Sequence, residues 1–418
     1  GTARDYPLFP NRGFMLDVAR KFFTMDYLKQ YVKILSFYKM NEFQIHLNDN
    51  GFPQFFGDDW NRTYAAFRLE SERFPGLTAK DGSYSKQEFI DLQRMGLEYG
   101  VRIIPEIDIP AHSLAFANYK PEIASRKYGM DHLDLYKKET YQFVDSLLDE
   151  YLSGDNPVFI GDLHIGTDEY NKKEAEQYRY FTDRYLKFVE KYGKNVRMWG
   201  GLKWLPGKTP VKAEGVTVNA WSYDWVDPVV SLQDGYKLIN TCDTYLYIVP
   251  AAGYYRDFLD HQWIYEKWSP WIMNRKQTLP EGTPGVLGGM FAVWNDKCGN
   301  GISEQDVHLR SFPAMQVLAE KLWKGENKNV TYEAFAKLCK TTPEAPGINL
   351  LGKVPAETAL TEAGKELSFN GKEAVSTPLQ EVGYPYSVEF QLCPEKTNPI
   401  SSILFQGPHS VVYTNWEN

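Results

Sequence analysis

A chain of 418 residues with 43% hydrophobic and 24% charged residues has the composition of a folded globular protein, long enough for one large core with something appended. Its formal charge of -8 argues against nucleic acid or an anionic membrane surface as a partner, since both require basic patches. No apolar run approaches the ~20 residues of a membrane span, and Cys242, Cys298, Cys339 and Cys393 lie far apart without CxxC spacing, which speaks against zinc and leaves disulfides open.

From the start of the chain, short apolar segments alternate with longer amphipathic ones. Residues 13–18 (GFMLDV) read as a strand, 25–40 as a helix with Leu28, Tyr31, Val32 and Leu35 on one face, and 43–47 as the next strand. The spacing then predicts a helix over 86–99, a strand over 101–107 (VRIIPEI), a helix over 135–152, and a strand over 159–165. A helix over about 172–191 follows, then strands near 196–199, 216–221, 237–240 and 286–294, and a helix over 304–323. Eight strands in β-then-α order imply an α/β fold, a (β/α)8 TIM barrel, over residues 1–340. The helix after the seventh strand is poorly marked.

Past 323 the pattern changes. Residues 330–339 suggest one more helix, and 341–352 (TTPEAPGINLLG) are Pro- and Gly-rich enough for a linker. Within 353–418, the segments 386–392 (YSVEFQL) and 400–405 resemble strands of an antiparallel sandwich. A sandwich takes roughly 100 residues, so the expectation is a β-rich C-terminal domain that is truncated or completed elsewhere. There is no visible signal peptide, but an opening Gly-Thr without Met suggests an expressed fragment, so compartment stays open.

In a β/α barrel the working residues sit at the C-terminal ends of the strands. Those ends carry, in order, Asp17 and Arg20; His46 and Asp49; Glu106, Asp108 and His112; His164, Asp168 and Glu169; Trp199; Trp221; Tyr245 and Tyr247; Trp294 and Asp296. This is a carboxylate-rich rim with aromatic walls. Aromatics make up 15% of the chain, with 28 Tyr and 11 Trp, and flat rings stack on the apolar faces of sugars as well as filling cores. The rim suits sugar hydrolysis, which needs a proton for the leaving oxygen and a nucleophile for the anomeric carbon. A metal hydrolase drawing on His46, Asp49, His112, His164 and Asp168 is the alternative, but HExxH and other close-spaced signatures are missing. A Ser-His-Asp hydrolase lacks its G-x-S-x-G elbow.

Five ordered motifs carry a resemblance: RGFMLDVAR from Arg12 to Arg20, HLND from His46, IPEIDIPAH ending at His112, HIGTDE ending at Glu169, and VWND ending at Asp296. Together they resemble glycoside hydrolase family 20, the β-N-acetylhexosaminidases, over about residues 10–325. The resemblance implies retaining, substrate-assisted hydrolysis of terminal β-linked GlcNAc or GalNAc in oligosaccharides or glycoconjugates, with no cofactor and no metal. Glu169 would be the general acid, its pKa raised by burial among aromatics and by the charge of Asp168. Asp168 would stay ionised and orient the acetamido group, with the Tyr245 hydroxyl on the acetamido oxygen. Trp199, Trp221 and Trp294 would form the acetamide pocket and sugar platform. Arg20 would hold sugar hydroxyls, while Asp49 and His112 would support the acidic pair. The substrate type suggests a secreted, periplasmic or cell-surface bacterial glycan degrader.

Some positions depart from the family pattern. Asp49-Asn50-Gly51-Phe52 stands for Asp-Asp-Gln-Gly-Trp, Thr167 for glycine, and Tyr247 for Asp or Asn. Asp296 replaces the Glu that holds the C4 and C6 hydroxyls, and its shorter side chain leaves room for a second sugar. This keeps a lacto-N-biosidase-like release of Gal-β1,3-GlcNAc as an alternative, beside a glycan-binding protein without activity.

Overall fold

Eight strands run parallel in chain order: β1 (Asn11–Asp17), β2 (Glu42–His46), β3 (Arg102–Glu106), β4 (Leu163–His164), β5 (Val196–Trp199), β6 (Val216–Ala220), β7 (Lys237–Asn240) and β8 (Val286–Val293). β8 closes onto β1 with Leu16 opposite Val293, so the chain forms the expected (β/α)8 barrel. The computed structural model describes residues 2 and 4–353, and beyond them 359–361, 365–370, 372–379, 387–389, 391–393, 402–407 and 411–413.

Parallel strands wrapped by helices are buried on both faces and read as near-continuous apolar runs. Every residue of β1 and β2 is buried. Outside them, Phe14 stacks on Phe43 and Phe291 at 5.3 and 4.6 Å, beneath Tyr31 of α1 (Met25–Phe37). Helix α1 buries Leu28, Tyr31, Val32 and Leu35, the face its sequence spacing marks. α2 (Lys86–Glu98) begins in a Ser85/Glu88 capping box, which satisfies backbone donors at the helix start. α3 (Lys138–Leu152) and α4 (Ala175–Glu190) follow β3 and β4.

The later connections deviate from regular alternation. Among the described residues no helix joins β5 to β6, because Leu205-Pro-Gly-Lys-Thr-Pro210 carries two prolines and a glycine. After β6 comes the short α5 (Pro228–Gln233), and after β7 a helical turn (Asp243–Leu246), a two-residue strand (Tyr247–Ile248) that pairs with β8, and the short α6 (His261–Glu266), in keeping with the weak helical signal after the seventh strand. α7 (Glu304–Lys324) closes the barrel and α8 (Tyr332–Thr341) follows. The strand expected over 159–165 is confined to Leu163–His164.

Beyond α8, buried Glu344 accepts hydrogen bonds from the Leu350 and Leu351 amides and meets His308 of α7 at 3.0 Å, which seats this Pro- and Gly-rich stretch on the barrel. Ile403–Gln406 pairs antiparallel with Val411–Tyr413. Of the strand expected over 386–392, residues 386 and 390 lie outside the described residues, and the others are not in a strand. The four cysteines are free. No described helix is long and apolar enough to cross a membrane.

Candidate active site

The turn after β4 presents the acidic pair by a run of left-handed backbone. Gly166, Thr167 and Glu169 have φ of 68°, 82° and 52°, and side-chain-bearing residues held there cost of order 1–3 kcal/mol each. A Cβ at Gly166 would lie 1.7 Å from Asp108 Oδ1, so only glycine fits. Thr167, where the family pattern has glycine, is held by surrounding bonds. Its amide donates to Asp108 Oδ1 (3.2 Å), its hydroxyl to Trp199 O (3.3 Å), and its carbonyl accepts from Tyr178 (2.6 Å).

Loops after β1, β2 and β3 bring support to this turn. His112 contacts Glu169 Oε2 at 3.2 Å and Asp168 Oδ2 at 3.6 Å through Nε2, while its Nδ1 meets Asp49 Oδ1 at 2.9 Å. Asp49 is fully buried, paired with Arg20 Nη2 (2.9 Å) and with His46 Nε2 (2.6 Å). Arg20 also reaches Asp17 (3.2 Å) and Asp296 (3.4 Å), and its Nε donates to Asn50 O. These cations hold Asp49 far below the usual carboxylate range against the opposing effect of burial.

The protonation order is the reverse of the sequence expectation. Burial raises Asp168 to about 6, the Glu169 charge adding and the His112 cation opposing. At Glu169, burial also acts upward, but the hydrogen bond from His112 and its charge outweigh it and hold the carboxyl below its ordinary value. Glu169 is not sealed among aromatics: it stands at the cleft mouth with 45% of its side chain exposed. Asp108, buried beside Asp168, is pushed well above the carboxylate range by burial and by the Asp168 charge. In the substrate-free site, proton affinity is therefore higher on the Asp108–Asp168 side than at Glu169.

Aromatic walls flank the pair. Trp199 donates to Glu106 Oε1 (2.6 Å) and its ring lies 5.6 Å from Trp294. Trp294 meets Tyr247 at 5.8 Å and His46 edge-on at 4.9 Å. Trp221 sits one strand over, held by Gly200 O (2.9 Å) and packed on Trp225. The Asp168 Oδ1 atom and the Trp294 indole nitrogen are buried without a hydrogen-bond partner from the protein, as are Asp108 Oδ2, His46 Nδ1 and His112 Nε2.

Of the two tyrosines expected at the substrate, the structure brings Tyr247 rather than Tyr245 beside Trp294 and Asp168. Tyr245 lies in the helical turn Asp243–Leu246 and stacks on Trp263 at 4.4 Å. Tyr247 is buried against Trp294 and feels the Asp168 charge. A helical turn rotates successive side chains by ~100°, whereas the following extended residue points back inward, so the residue after the turn faces the site.

Sequence reasoning missed Tyr254. Its hydroxyl donates to Asp296 Oδ2 (2.8 Å) while Asp296 Oδ1 faces Arg20, and its side chain is otherwise open, at 52% exposure for the residue. Burial raises Asp296 above its ordinary pKa despite Arg20. The available signal was an aromatic pair, Tyr254-Tyr255, in a glycine-bearing rim loop. His164 is buried and uncharged, lowered to about 4 by burial, and its Nδ1 accepts from the Gly166 amide.

By distance alone, His46, Glu106 and Asp108, or Asp108, His112 and Asp168, could gather round a cation. Their contacts are those of proton sharing, however. His46 and His112 each already have a carboxylate beside both nitrogens, which engages the atoms a cation would need.

An acidic pair on a strained turn, a cationic histidine behind it and an indole-lined wall, all at the C-terminal end of a β/α barrel, define a class: barrel enzymes that handle sugars. Comparison with known proteins narrows it. Residues 9–326 match the catalytic domain of glycosyl hydrolase family 20, and the chain belongs to that family. β-Hexosaminidase subunit B2 of Dictyostelium discoideum is 27% identical over 382 residues, covering 80% of this chain and 60% of that protein. A β-hexosaminidase of Akkermansia muciniphila is 28% identical, covering 53% of this chain and 49% of its own length. The β-N-acetylhexosaminidase structure from Bacteroides fragilis superposes with a TM-score of 0.64 at 21% identity, covering 81% of this chain and 70% of that one. The exo-β-N-acetylglucosaminidase of Vibrio harveyi, solved with N-acetylglucosamine, gives 0.62 at 20% identity, covering 80% of this chain and 57% of that one. The chain thus spans about half to three-fifths of the length of these curated relatives.

Proposed function

We propose that this chain is a retaining exo-β-N-acetylhexosaminidase that removes terminal β-linked GlcNAc or GalNAc by substrate-assisted catalysis. The adjacency of Asp168 and Glu169 on one turn, both in reach of His112, carries the reading. A two-carboxylate retaining mechanism needs an acid and a nucleophile flanking the bond about 5–5.5 Å apart. Here Asp17, Asp49 and Glu106 are held in buried ion pairs, and Asp296 is engaged by Arg20 and Tyr254. Asp168 shares a turn with Glu169 instead of facing it across the bond, and Asp108 is buried beneath Asp168, which supports the substrate's own acetamido oxygen as the nucleophile.

In the first step that oxygen bonds to the anomeric carbon as the glycosidic bond breaks, and Glu169 gives its proton to the leaving oxygen. Asp168 Oδ1 accepts the acetamide N–H and its charge offsets the oxazolinium ion, while the Tyr247 hydroxyl donates to the acetamido oxygen. In the second step Glu169 takes a proton from water, the resulting hydroxide equivalent attacks the anomeric carbon, and the acetamide is released intact. The productive form carries one proton on Glu169 and a charge on Asp168. That is the minor arrangement of the substrate-free pair, so substrate binding must draw charge onto Asp168.

The position of Asp296 favours a second reading. Drawn onto Arg20 and capped by Tyr254, it grips the C4 and C6 side less than a longer Glu would, which favours release of a disaccharide such as Gal-β1,3-GlcNAc. Chromogenic β-GlcNAc and lacto-N-biose glycosides distinguish the readings by which is hydrolysed. Turnover of neither, with glycan binding retained, would mean a binding protein and overturn both.

A further inference from the structure

Beneath the acidic pair the barrel interior holds a second layer of buried charge that the proposed chemistry leaves unused. Glu106, fully buried at the end of β3, accepts from Trp199 Nε1 (2.6 Å) and Gln44 Nε2 (2.7 Å), and its Oε1 lies 3.0 Å from His46 Nδ1. His46 Nε2 continues to Asp49 Oδ2 at 2.6 Å, Asp49 Oδ1 to His112 Nδ1 at 2.9 Å, and His112 Nε2 to Glu169 Oε2 at 3.2 Å. Carboxylate and imidazole alternate from the barrel axis to the cleft.

A neutral imidazole donates through one nitrogen only. His46 Nε2 is hydrogen-bonded to Asp49 and its Nδ1 lies beside the Glu106 carboxylate without an aligned hydrogen bond, so a carboxylate at each edge of the ring favours the imidazolium, and the same holds for His112 with Asp49 and Glu169. We propose that His46 and Glu106 are positioning residues that set the proton affinity of the Asp168–Glu169 pair through Asp49 and His112. This rests on reading that pair as the reacting groups. Trp199 links the same chain of charges to the pocket wall, because its indole N–H is bound to Glu106.

The surroundings leave His46 and Glu106 as the adjustable charges. His164, 3.5 Å from Glu106, is lowered to about 4 by burial, and burial with the Asp168 charge pushes Asp108 well above its ordinary range. Trp294 covers the edge of His46. Arg20 binds Asp49 from the other side and is itself offset by Asp17 and Asp296. Around Glu169 the facing groups are His112, Asp168, Asp49, Arg20 and Tyr255. Removing the His46 cation makes this region more negative, so the pair holds its proton to higher pH. Removing the Glu106 anion does the opposite.

The test is the pH profile of kcat/KM for an aryl β-GlcNAc glycoside. His46→Gln should move the alkaline limb up by roughly half to one pH unit and Glu106→Gln should move it down by a similar amount, as for a unit charge at effective dielectric ~20–40. Limbs that stay in place, or move together while the rate falls, would reduce both residues to packing roles and overturn the proposal. Should His46→Gln not fold, the isosteric Glu106→Gln decides alone by the same criterion. A readout independent of turnover separates this from the functional reading: imidazole 15N shifts of the wild-type protein should show His46 doubly protonated at neutral pH. A neutral His46 overturns the relay whatever the substrate. A cationic His46 in a protein that hydrolyses no β-GlcNAc glycoside overturns the functional reading instead.

Discussion

Both ends of this barrel bury charge, but they complete it differently. At the N-terminal end, Glu42 takes a two-pronged contact from Arg197 (2.6 and 2.8 Å), a further one from Arg102 and a hydrogen bond from Asn11, and Arg197 also holds Asp162 at 2.8 Å. Glu42 and Asp162 are both held below their ordinary pKa values against the opposing effect of burial, Arg197 being the largest stabilising influence on each. At the C-terminal end, the buried charges leave Asp168 raised, Glu169 lowered and Asp168 Oδ1 unpartnered. Carboxylates with both oxygens paired fix the frame, whereas one with an oxygen left open is ready to exchange protons with a ligand.

The contrast is exposed most strongly by Glu169→Gln. Kept fold and a loss of roughly 10²–10⁴ in kcat on an unactivated glycoside are expected, and near-normal turnover would remove Glu169 from the acid role. The matching change at the N-terminal end is Arg197→Met, which takes the principal cation from both Glu42 and Asp162. Denaturant unfolding should show a loss of about 3–5 kcal/mol, while kcat of the remaining folded enzyme stays near that of wild type. A large fall in kcat with unchanged stability would erase the distinction between the ends. Tyr247→Phe should cost roughly 10²-fold in kcat by removing one donor to the acetamido oxygen, whereas Tyr245→Phe, stacked on Trp263, should stay within about twofold on the same measurement. Equal losses would contradict the placement of the two rings.

Proton occupancy gives a gentler test. The single-proton form of the pair is maximal between the lowered pKa of Glu169 and the value of about 6 at Asp168. A bell-shaped kcat/KM profile with an acid optimum, falling as pH rises past about 6, is therefore expected. A plateau extending into alkaline pH would contradict the protonation order. The smallest effect belongs to Tyr254→Phe. Releasing Asp296 Oδ2 should raise kcat/KM for a terminal GlcNAc by a few-fold, about the worth of one hydrogen bond, with no change expected for substrates that do not use Asp296.

Much of this was legible in the residues themselves. The strand order and the candidate rim follow from apolar segments alternating with helical spacing, because a barrel strand buries both faces and its end meets the cleft. The missing helix between β5 and β6 is written in Pro206, Gly207 and Pro210, but the regular count of strands overshadowed it. Three features depend on three-dimensional placement that spacing does not encode. Tyr247 faces inward because a helical turn ends at Leu246, Tyr254 reaches Asp296 from a distant loop, and His112 reverses the protonation of the acidic pair by lying closer to Glu169 than to Asp168.

The participation of the substrate's acetamido oxygen is tested most directly by kcat/KM for aryl β-GlcNAc glycosides whose acetyl methyl carries none, one, two or three fluorines. Fluorine withdraws electrons from the carbonyl oxygen while changing its size little. If that oxygen is the nucleophile that Asp168 orients, the rate should fall steeply along the series, over orders of magnitude. A flat series, or equal hydrolysis of an aryl β-glucoside lacking the acetamide, would contradict it.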